Sequence, residues 1–362
     1  MAERDLTRRE FIQQGVAAGA GLAAGIALAR AAEVDKSKII NYNENMQYRP
    51  LGKTGLTVSA VCLGGHWKNI EKAAPGCLKS RSWLDADLAN PGFRKNRREV
   101  IDRCIEVGIN YVDACTWQEV VAYAEALKGR REKFHLGFSW YQEEMRNGKF
   151  RTAKALMGTL EKGMKQAGLD YVDLWRITMH ERSSQHTEGE VQEMMKALET
   201  AKKQGKARLT GFSSHDRPHI KWMIETFPDI VQVVVTPYTA SSKVLPTDSL
   251  FDAVKKHGVG MFGIKPFAGN SLFKGDGSPE GPDAEENDRR ARLAIRYILC
   301  NPALTAPIPG MITAHQVDNV AKAVAERGKL DLAEAAELKN AMDEAWAKLP
   351  EDYQWLKDWQ HV

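Results

Sequence analysis

The chain is predicted to be an α/β protein. It reads as a single (β/α)8 or TIM barrel with an N-terminal hairpin, a long loop insertion after strand 1 and a C-terminal helical tail. Three observations predict this. Eight strand-like apolar runs alternate with eight helix-like segments over short connections. The run Val231-Gln232-Val233-Val234-Val235 approaches the continuous apolar reading of a strand buried on both faces. The first strand ends in Gly64-Gly65-His66, which lacks the GxGxxG loop that an open doubly wound sheet usually carries there.

The elements follow in order. Thr7-Arg8-Arg9-Glu10-Phe11-Ile12 precedes a glycine- and alanine-rich apolar run at residues 15–29. An arginine pair before a short, mildly apolar stretch is the pattern of a twin-arginine signal, which exports folded proteins. The run falls short of the roughly 20 residues a membrane span needs. Ala27-Leu28-Ala29 and Ala29-Arg30-Ala31 offer small-residue cleavage sites. Residues 1–32 therefore read as a twin-arginine signal peptide. The expected location is periplasmic or otherwise exported, with membrane anchoring if the signal is retained, and the expected partner is the export machinery for folded proteins. Residues 33–46 are polar and unpatterned and read as a linker to a barrel domain at 47–362.

Residues 47–61 give two short extended runs around Leu51-Gly52-Lys53-Thr54-Gly55-Leu56, a hairpin candidate. Strands are expected at 58–63, 109–114, 134–140, 171–178, 207–213, 231–236, 260–265 and 304–309. Helices are expected at 97–107, 119–128, 152–167, 189–204, 218–227, 248–257, 288–299 and 316–326. The insertion, 67–95, is long enough to be functional and lies over the face where barrel enzymes keep their sites. The tail, 330–362, adds a helix and then Tyr353, Trp355 and Trp359, placed to pack across the barrel mouth.

With 43% hydrophobic and 27% charged residues, the chain has an ordinary globular composition. The net charge of +4, without a basic stripe interleaved with aromatics, argues against nucleic-acid binding. The five cysteines, Cys62, Cys77, Cys104, Cys115 and Cys300, form no CxxC pair, which argues against zinc ribbons and iron–sulfur clusters. A chain that folds in a reducing cytoplasm before export is not expected to depend on a disulfide.

Several segments resemble the aldo/keto reductase family. Tyr48-Arg49-Pro50-Leu51-Gly52-Lys53-Thr54-Gly55-Leu56-Thr57-Val58-Ser59 is similar to its N-terminal hairpin, and Gly108-Ile109-Asn110-Tyr111-Val112-Asp113 to its second strand. Asp170-Tyr171-Val172-Asp173-Leu174 resembles the fourth strand, and Gly205-Lys206-Ala207-Arg208 with Gly211-Phe212-Ser213 the fifth. Lys265-Pro266-Phe267-Ala268-Gly269 and Ile308-Pro309-Gly310-Met311 resemble the seventh and eighth strand ends of a bacterial branch.

The resemblance implies carbonyl reduction by hydride from NADPH with an Asp–Tyr–Lys–His group, in which the Tyr donates a proton. Asp113 stands at the Asp position. The Tyr position falls at Trp117 or Gln118, the Lys position at Ser139 and the His position at Thr178, so the tetrad reads as degenerate. For the cofactor, NADP or NAD, the resemblance implies Ser213, Ser214 and Gln232 at the nicotinamide amide and Asn319 at the adenine. Lys265 is a candidate phosphate contact. Gly310 and Gln316 stand where cations often grip the 2′-phosphate, which removes charge-assisted bonds.

The polar residues at predicted strand ends are His66, Asp113, His180, His215, Tyr238 and Lys265. They are read as ordinary rim residues, as a relocated acid/base group with His180 or Tyr238 donating the proton, or as a metal site at His66, Asp113, His180 and His215. Trp67, Trp83, Trp117 and Trp140 either stack a sugar or aromatic ligand or fill the insertion's own core. The expected function is an NAD(P)-dependent oxidoreductase acting on a small carbonyl or alcohol, sugar-like substrates among them, with a non-standard acid/base group. The alternatives are a non-redox carbohydrate-binding descendant and a metal-dependent lyase, isomerase or hydrolase.

Overall fold

A computed structural model describes residues 35–357 apart from Arg81, Lys243, Pro246 and Arg327. The twin-arginine segment and Trp359 lie outside these residues. The hairpin forms as expected: β1 (Tyr48–Pro50) pairs antiparallel with β2 (Thr57–Ser59). Arg49 pins it to the body by donating to the Leu304 and Leu299 carbonyls at 3.0 and 2.9 Å.

Eight parallel strands follow: β3 (Leu63–Gly64), β4 (Tyr111–Asp113), β5 (His135–Phe138), β6 (Val172–Thr178), β7 (Ala207–Ser213), β8 (Val233–Pro237), β9 (Gly260–Ile264) and β10 (Ala306–Ile308). Each pairs with the next in sequence. A parallel bridge between Gly64 and Gly310 closes the ring, and Gly64 N–H donates to the Pro309 carbonyl at 2.8 Å. The helices are α1 (Ile70–Ala73), α2 (Pro91–Val107), α3 (Trp117–Ala126), α4 (Ala153–Ala167), α5 (Glu188–Lys203), α6 (Arg217–Thr226), α7 (Leu250–His257), α8 (Ala284–Leu299), α9 (Ala314–Glu326) and α10 (Leu332–Ala347).

Local chemistry sets the helix starts. Asn90 caps α2 by accepting from Phe93 N–H, with Pro91 in the first turn. Reciprocal capping boxes open α3 (Thr116 and Glu119), α5 (Thr187 and Glu190) and α10 (Asp331 and Glu334). Helix α2 therefore begins six residues before the position the periodicity suggests, because its first six residues, Pro91 to Asn96, carry only Phe93 as a large apolar side chain but are well capped.

The expected first strand, 58–63, is divided. Val58 and Ser59 belong to the hairpin, and only Leu63 and Gly64 enter the barrel. The chain bends between them because Ser59 Oγ donates to the Val61 carbonyl at 2.7 Å while Ser59 N–H is held by Asn110 Oδ1 at 2.8 Å. The linker segment also differs from a free tether. Asn41 Nδ2 reaches the carbonyls of Ile109 and Lys133 at 3.2 and 2.7 Å, and Asn43 Nδ2 that of Glu106 at 2.9 Å.

Two apolar layers hold the barrel. The larger lies between strands and helices. The smaller fills the barrel interior and includes Cys62, Tyr111, Leu174, Leu209, Val233, Val235, Phe262 and Ile308. Leu51 and Val58 of the hairpin enter this inner cluster, so the hairpin plugs the N-terminal end of the barrel. The C-terminal end is thereby left as the only mouth among the described residues. The insertion is anchored by Trp67, which is buried edge-on against Phe93 and Tyr123. All five cysteines are unpaired. Among the described residues, no helix is long and apolar enough to cross a membrane.

Leu51 is fully buried in the plug. Leu51→Ala is expected to lower stability by about 2–5 kcal/mol, read as a lower urea midpoint with helical circular dichroism retained in the folded baseline.

Candidate functional site

A cavity of about 520 Å³ lies over the C-terminal strand ends. Its floor is built on Arg176, which sits within β6, a strand buried at every residue. An arginine there requires a carboxylate, and Asp113 at the end of β4 supplies it. Arg176 Nε donates to Asp113 Oδ1 at 2.9 Å, and Nη2 donates to Oδ2. Tyr111 Oη adds a bond to Oδ1 at 3.2 Å. The third nitrogen, Nη1, reaches Thr178 Oγ1 at 3.2 Å and Ser213 Oγ at 3.3 Å. Burial works against the Arg176 charge, but Asp113 outweighs it and holds the guanidinium more firmly protonated than usual.

Glu144 forms a second buried node. Ser139 Oγ donates to its Oε2 at 2.5 Å and Thr178 N–H to the same oxygen at 2.7 Å, and Trp175 Nε1 lies 3.4 Å from Oε1. Ser139 Oγ and Thr178 Oγ1 are 2.7 Å apart. Burial raises the Glu144 pKa. Ser139 and Thr178 are thus spent within the wall.

At the rim, His66 follows β3 with φ of 57°. Its Nδ1 lies 2.8 Å from Glu119 Oε1, and Cys115 Sγ lies 3.5 Å from the same nitrogen. Burial opposes protonation of His66, yet Cys115 and Glu119 prevail and lift its pKa to about 10.

The tail supplies the opposite rim. The segment Glu351–Lys357 docks through a cluster of Ala268, Leu349, Tyr353 and Leu356. Gly269, at φ 66°, makes room for this docking, since a Cβ there would stand 2.5 Å from Tyr353 Cε1. Tyr353 Oη is 2.7 Å from Lys68 Nζ, and Lys265 Nζ lies 5.8 Å from the Tyr353 ring. Burial raises the phenol pKa, but Lys265 and Lys68 outweigh it, so the net direction is downward. Trp355 stacks on His215 with centroids 4.3 Å apart.

Of the candidate catalytic, metal and cofactor residues, His66, Asp113, Ser213, His215, Lys265, Gly310, Gln316 and Asn319 line the cavity, as does Thr178. Tyr238, His180, Ser214 and Gln232 do not, and each has a physical reason. Tyr238 is buried behind β8, where its hydroxyl accepts from Asn301 Nδ2 at 3.1 Å. His180 turns outward: its N–H donates to His186 Nε2 and its Nδ1 accepts from Arg182 N–H. Ser214 Oγ bonds Ser183 Oγ at 2.8 Å. Gln232 precedes β8 at the N-terminal end of the barrel, where Lys202 Nζ holds its Oε1 at 2.7 Å. The metal quartet does not assemble, because Asp113 is taken by Arg176, His180 faces away and His215 is stacked on Trp355. Of the four tryptophans, Trp67 and Trp83 border the cavity, while Trp117 and Trp140 do not.

Sequence reasoning missed Arg176, Glu144, Cys115, Glu119 and Lys68, and gave Tyr353 a packing role across the mouth but no chemical one. A signal for Arg176 existed: a cation in the middle of a strand that is otherwise apolar between Asp173 and Thr178, Val172-Asp173-Leu174-Trp175-Arg176-Ile177-Thr178.

The model of the aldo/keto reductase family matches residues 89–343. The uncharacterized oxidoreductase YrpG of Bacillus subtilis is 24% identical, with 86% of this chain and 100% of that protein covered. L-galactose dehydrogenase of Arabidopsis thaliana is 23% identical over 79% of this chain and 91% of that one. Among solved structures, the holo form of aldo-keto reductase AKR11C1 from Bacillus halodurans superposes with a TM-score of 0.58 at 20% identity, covering 85% of this chain and 99% of that one.

Asp113→Asn leaves a buried guanidinium without its counter-charge. A loss of about 3–5 kcal/mol is expected, measurable by urea denaturation. A loss below 1 kcal/mol would mean that the pair does not carry the floor.

Proposed function

The chain belongs to the aldo/keto reductase family, and on that premise we propose that it is a nicotinamide-dependent oxidoreductase that reduces a small, sugar-like carbonyl with a non-standard proton donor, Tyr353. The observation carrying this is the Tyr353–Lys68 contact at the cavity rim. When bound, the reduced nicotinamide supplies hydride. Tyr353 gives its proton to the substrate oxygen, and the Lys68 ammonium stabilises the phenolate that remains. Ser139 and Thr178 have no proton to give, because both hydroxyls are tied into the Glu144 network. The sugar-like class is supported by the names of two relatives, L-galactose dehydrogenase and the L-glyceraldehyde 3-phosphate reductase of Escherichia coli. Trp83, Tyr141 and Trp355 in the lining suit stacking on such a ligand.

The lining fits a dinucleotide on one count that stands apart from the family. His215 Nδ1 is buried in the wall with no hydrogen-bond partner, and burial holds the ring neutral. The far end favours NAD(H) over NADP(H). Asn319 Nδ2 donates to the Asp288 carbonyl at 2.9 Å, and Asp288 joins it in the lining; one carboxylate oxygen is held by His315 Nε2, and the other suits a ribose diol better than a 2′-phosphate. Gln316 is spent on Ile312 N–H at 2.8 Å. Ser213, Lys265 and Gly310 complete this wall.

Export by the twin-arginine route is part of the proposal and rests on Arg8-Arg9 and the apolar run after them. With both arginines changed to lysine, the protein should remain in the cytoplasmic fraction. Equal periplasmic recovery would sink export by this route.

NADH is expected to bind about tenfold more tightly than NADPH in calorimetry, the effect of roughly 1.4 kcal/mol. Absence of binding by either would overturn the redox reading. Tyr353→Phe should lower kcat for an aldose by about 10²–10⁴ and leave the NADH Kd unchanged. Rising pH removes the donor proton, so activity falls on the alkaline side. Lys68→Met releases the phenol toward its ordinary pKa, and the fall should move to higher pH.

A further inference from the structure

Proton transfer by Tyr353 leaves one cluster at the rim unused: Cys115, His66 and Glu119. The three come from separate elements. His66 follows β3, Cys115 stands two residues past β4, and Glu119 lies in the first turn of α3. Glu119 is fully buried. It reaches beneath His66 only because residue 65 is glycine, since a Cβ there would stand 2.1 Å from its carboxyl carbon.

The hydrogen bonds decide what the cluster is for. Glu119 accepts the backbone N–H of His66 at 2.5 Å, of Cys115 at 2.7 Å and of Thr116 at 3.2 Å, besides His66 Nδ1 at 2.8 Å. A carboxylate so occupied has little left for a cation, although the three side chains lie close enough to hold one. It is well suited to hold an imidazole by one nitrogen. Cys115 Sγ stands beside the ring, 3.5 Å from Nδ1 and 3.7 Å from Nε2, and with Nδ1 turned to Glu119, Nε2 is the nitrogen left to exchange a proton with it. Cys115 also directly precedes Thr116, the N-cap of α3, so its sulfur stands at the N-terminal end of that helix. Trp83 from the insertion tilts over the His66 ring with centroids 4.5 Å apart.

We propose that Cys115 is a nucleophilic thiol, paired with His66 and oriented through it by Glu119, that adds to the carbonyl carbon of a small aldehyde in the cavity. The Sγ–C bond forms as the C=O π bond breaks, and the imidazolium proton passes to the oxygen. The product is a hemithioacetal, and no electrons leave the pair of reactants. The adduct rests on the reading of the cavity as a carbonyl site, whereas the reactivity of the thiol does not.

Cys300 provides an internal reference, being the exposed cysteine, with Sγ directed at the Arg296 carbonyl. The full chain is treated with limiting iodoacetamide at pH 6.0 and 8.5, and both sites are followed by peptide mass mapping. Cys115 should react at least tenfold faster than Cys300 at pH 6.0, with a smaller ratio at pH 8.5. His66→Asn retains a side chain that tolerates the left-handed backbone, and it should abolish the advantage at pH 6.0. Glyceraldehyde should slow labelling of Cys115 and leave Cys300 unchanged. Equal rates at the two cysteines, or an unaltered rate in His66→Asn, would overturn the nucleophile. Labelling of Cys115 that appears only after chelator treatment would overturn it in favour of a bound metal. Lack of protection by glyceraldehyde would overturn the adduct. None of these readings depends on nucleotide binding, so failure here and failure of the reductase reading are separable.

Discussion

The guanidinium of Arg176 and the carboxylate of Asp113 are buried together at the base of the cavity, and the site is arranged around that pair. Arg176 Nη1 also reaches Thr178 and Ser213, so one cation ties together the ends of β4, β6 and β7. A buried pair of this kind is costly to break and contributes little net stability over an apolar substitute. Its value lies in what it fixes: the mouth-side ends of three strands in one geometry. It also consumes the one carboxylate that the resemblance assigns to chemistry. Asp113 faces a permanent cation and takes hydrogen bonds at both oxygens, which makes it a scaffold acceptor rather than a base.

With the floor neutralised, the groups with chemistry to offer stand at the rim, and several of them lie on segments added to the barrel. Lys68 and Trp83 come from the insertion, and Tyr353 and Trp355 from the tail. These additions meet each other: Lys68 bonds the Tyr353 hydroxyl and lies 4.4 Å from its ring centroid. The tail is held by apolar packing on Ala268 and by the space left at Gly269, and is no loose flap. A proton donor delivered by a docked tail has the same chemical requirement as one delivered by a strand end: a phenol beside an ammonium, in a place from which water is partly excluded.

The fold was legible because the barrel is written in repeated local signals. Apolar runs such as 231–235 can lie only in a sheet covered on both faces, and capped, amphipathic stretches separate them. The errors were at boundaries, where side-chain bonds override pattern: Ser59 bends the first run out of the barrel, and Asn90 with Pro91 starts α2 early. The site was less legible. A strand end can be located from sequence, but not which way the next residue turns. His180 and His215 each stand just past a strand, yet one faces away and the other lines the wall. Gln232 matched by motif, and its position before β8 puts it at the wrong end of the barrel. Contacts between distant segments, such as Lys68 with Tyr353 across 285 positions, have no local signature at all.

The two reactive groups at the rim differ in how the structure sets their charge. Tyr353 is buried beside two lysines, which favour its phenolate, so it gives up a proton more readily than an ordinary phenol. His66 lies beside a carboxylate and a thiol, which favour its imidazolium, so it keeps a proton more firmly than an ordinary histidine. One rim is therefore built to release a proton and the other to hold positive charge, with the apolar aromatic faces of Trp83 and Trp355 among the residues around the cavity. A carbonyl placed there meets opposite requirements at its two ends, since the oxygen must gain a proton while the carbon accepts an electron pair. The phenol serves the oxygen, while the electron pair for the carbon comes from hydride or from the Cys115 sulfur, beside which the imidazolium holds its charge. In a chain whose strand-end positions carry Ser139 and Thr178, this polarity is supplied by Tyr353 of the tail with Lys68 of the insertion, and by His66 with Cys115 and Glu119 beside the ends of β3 and β4.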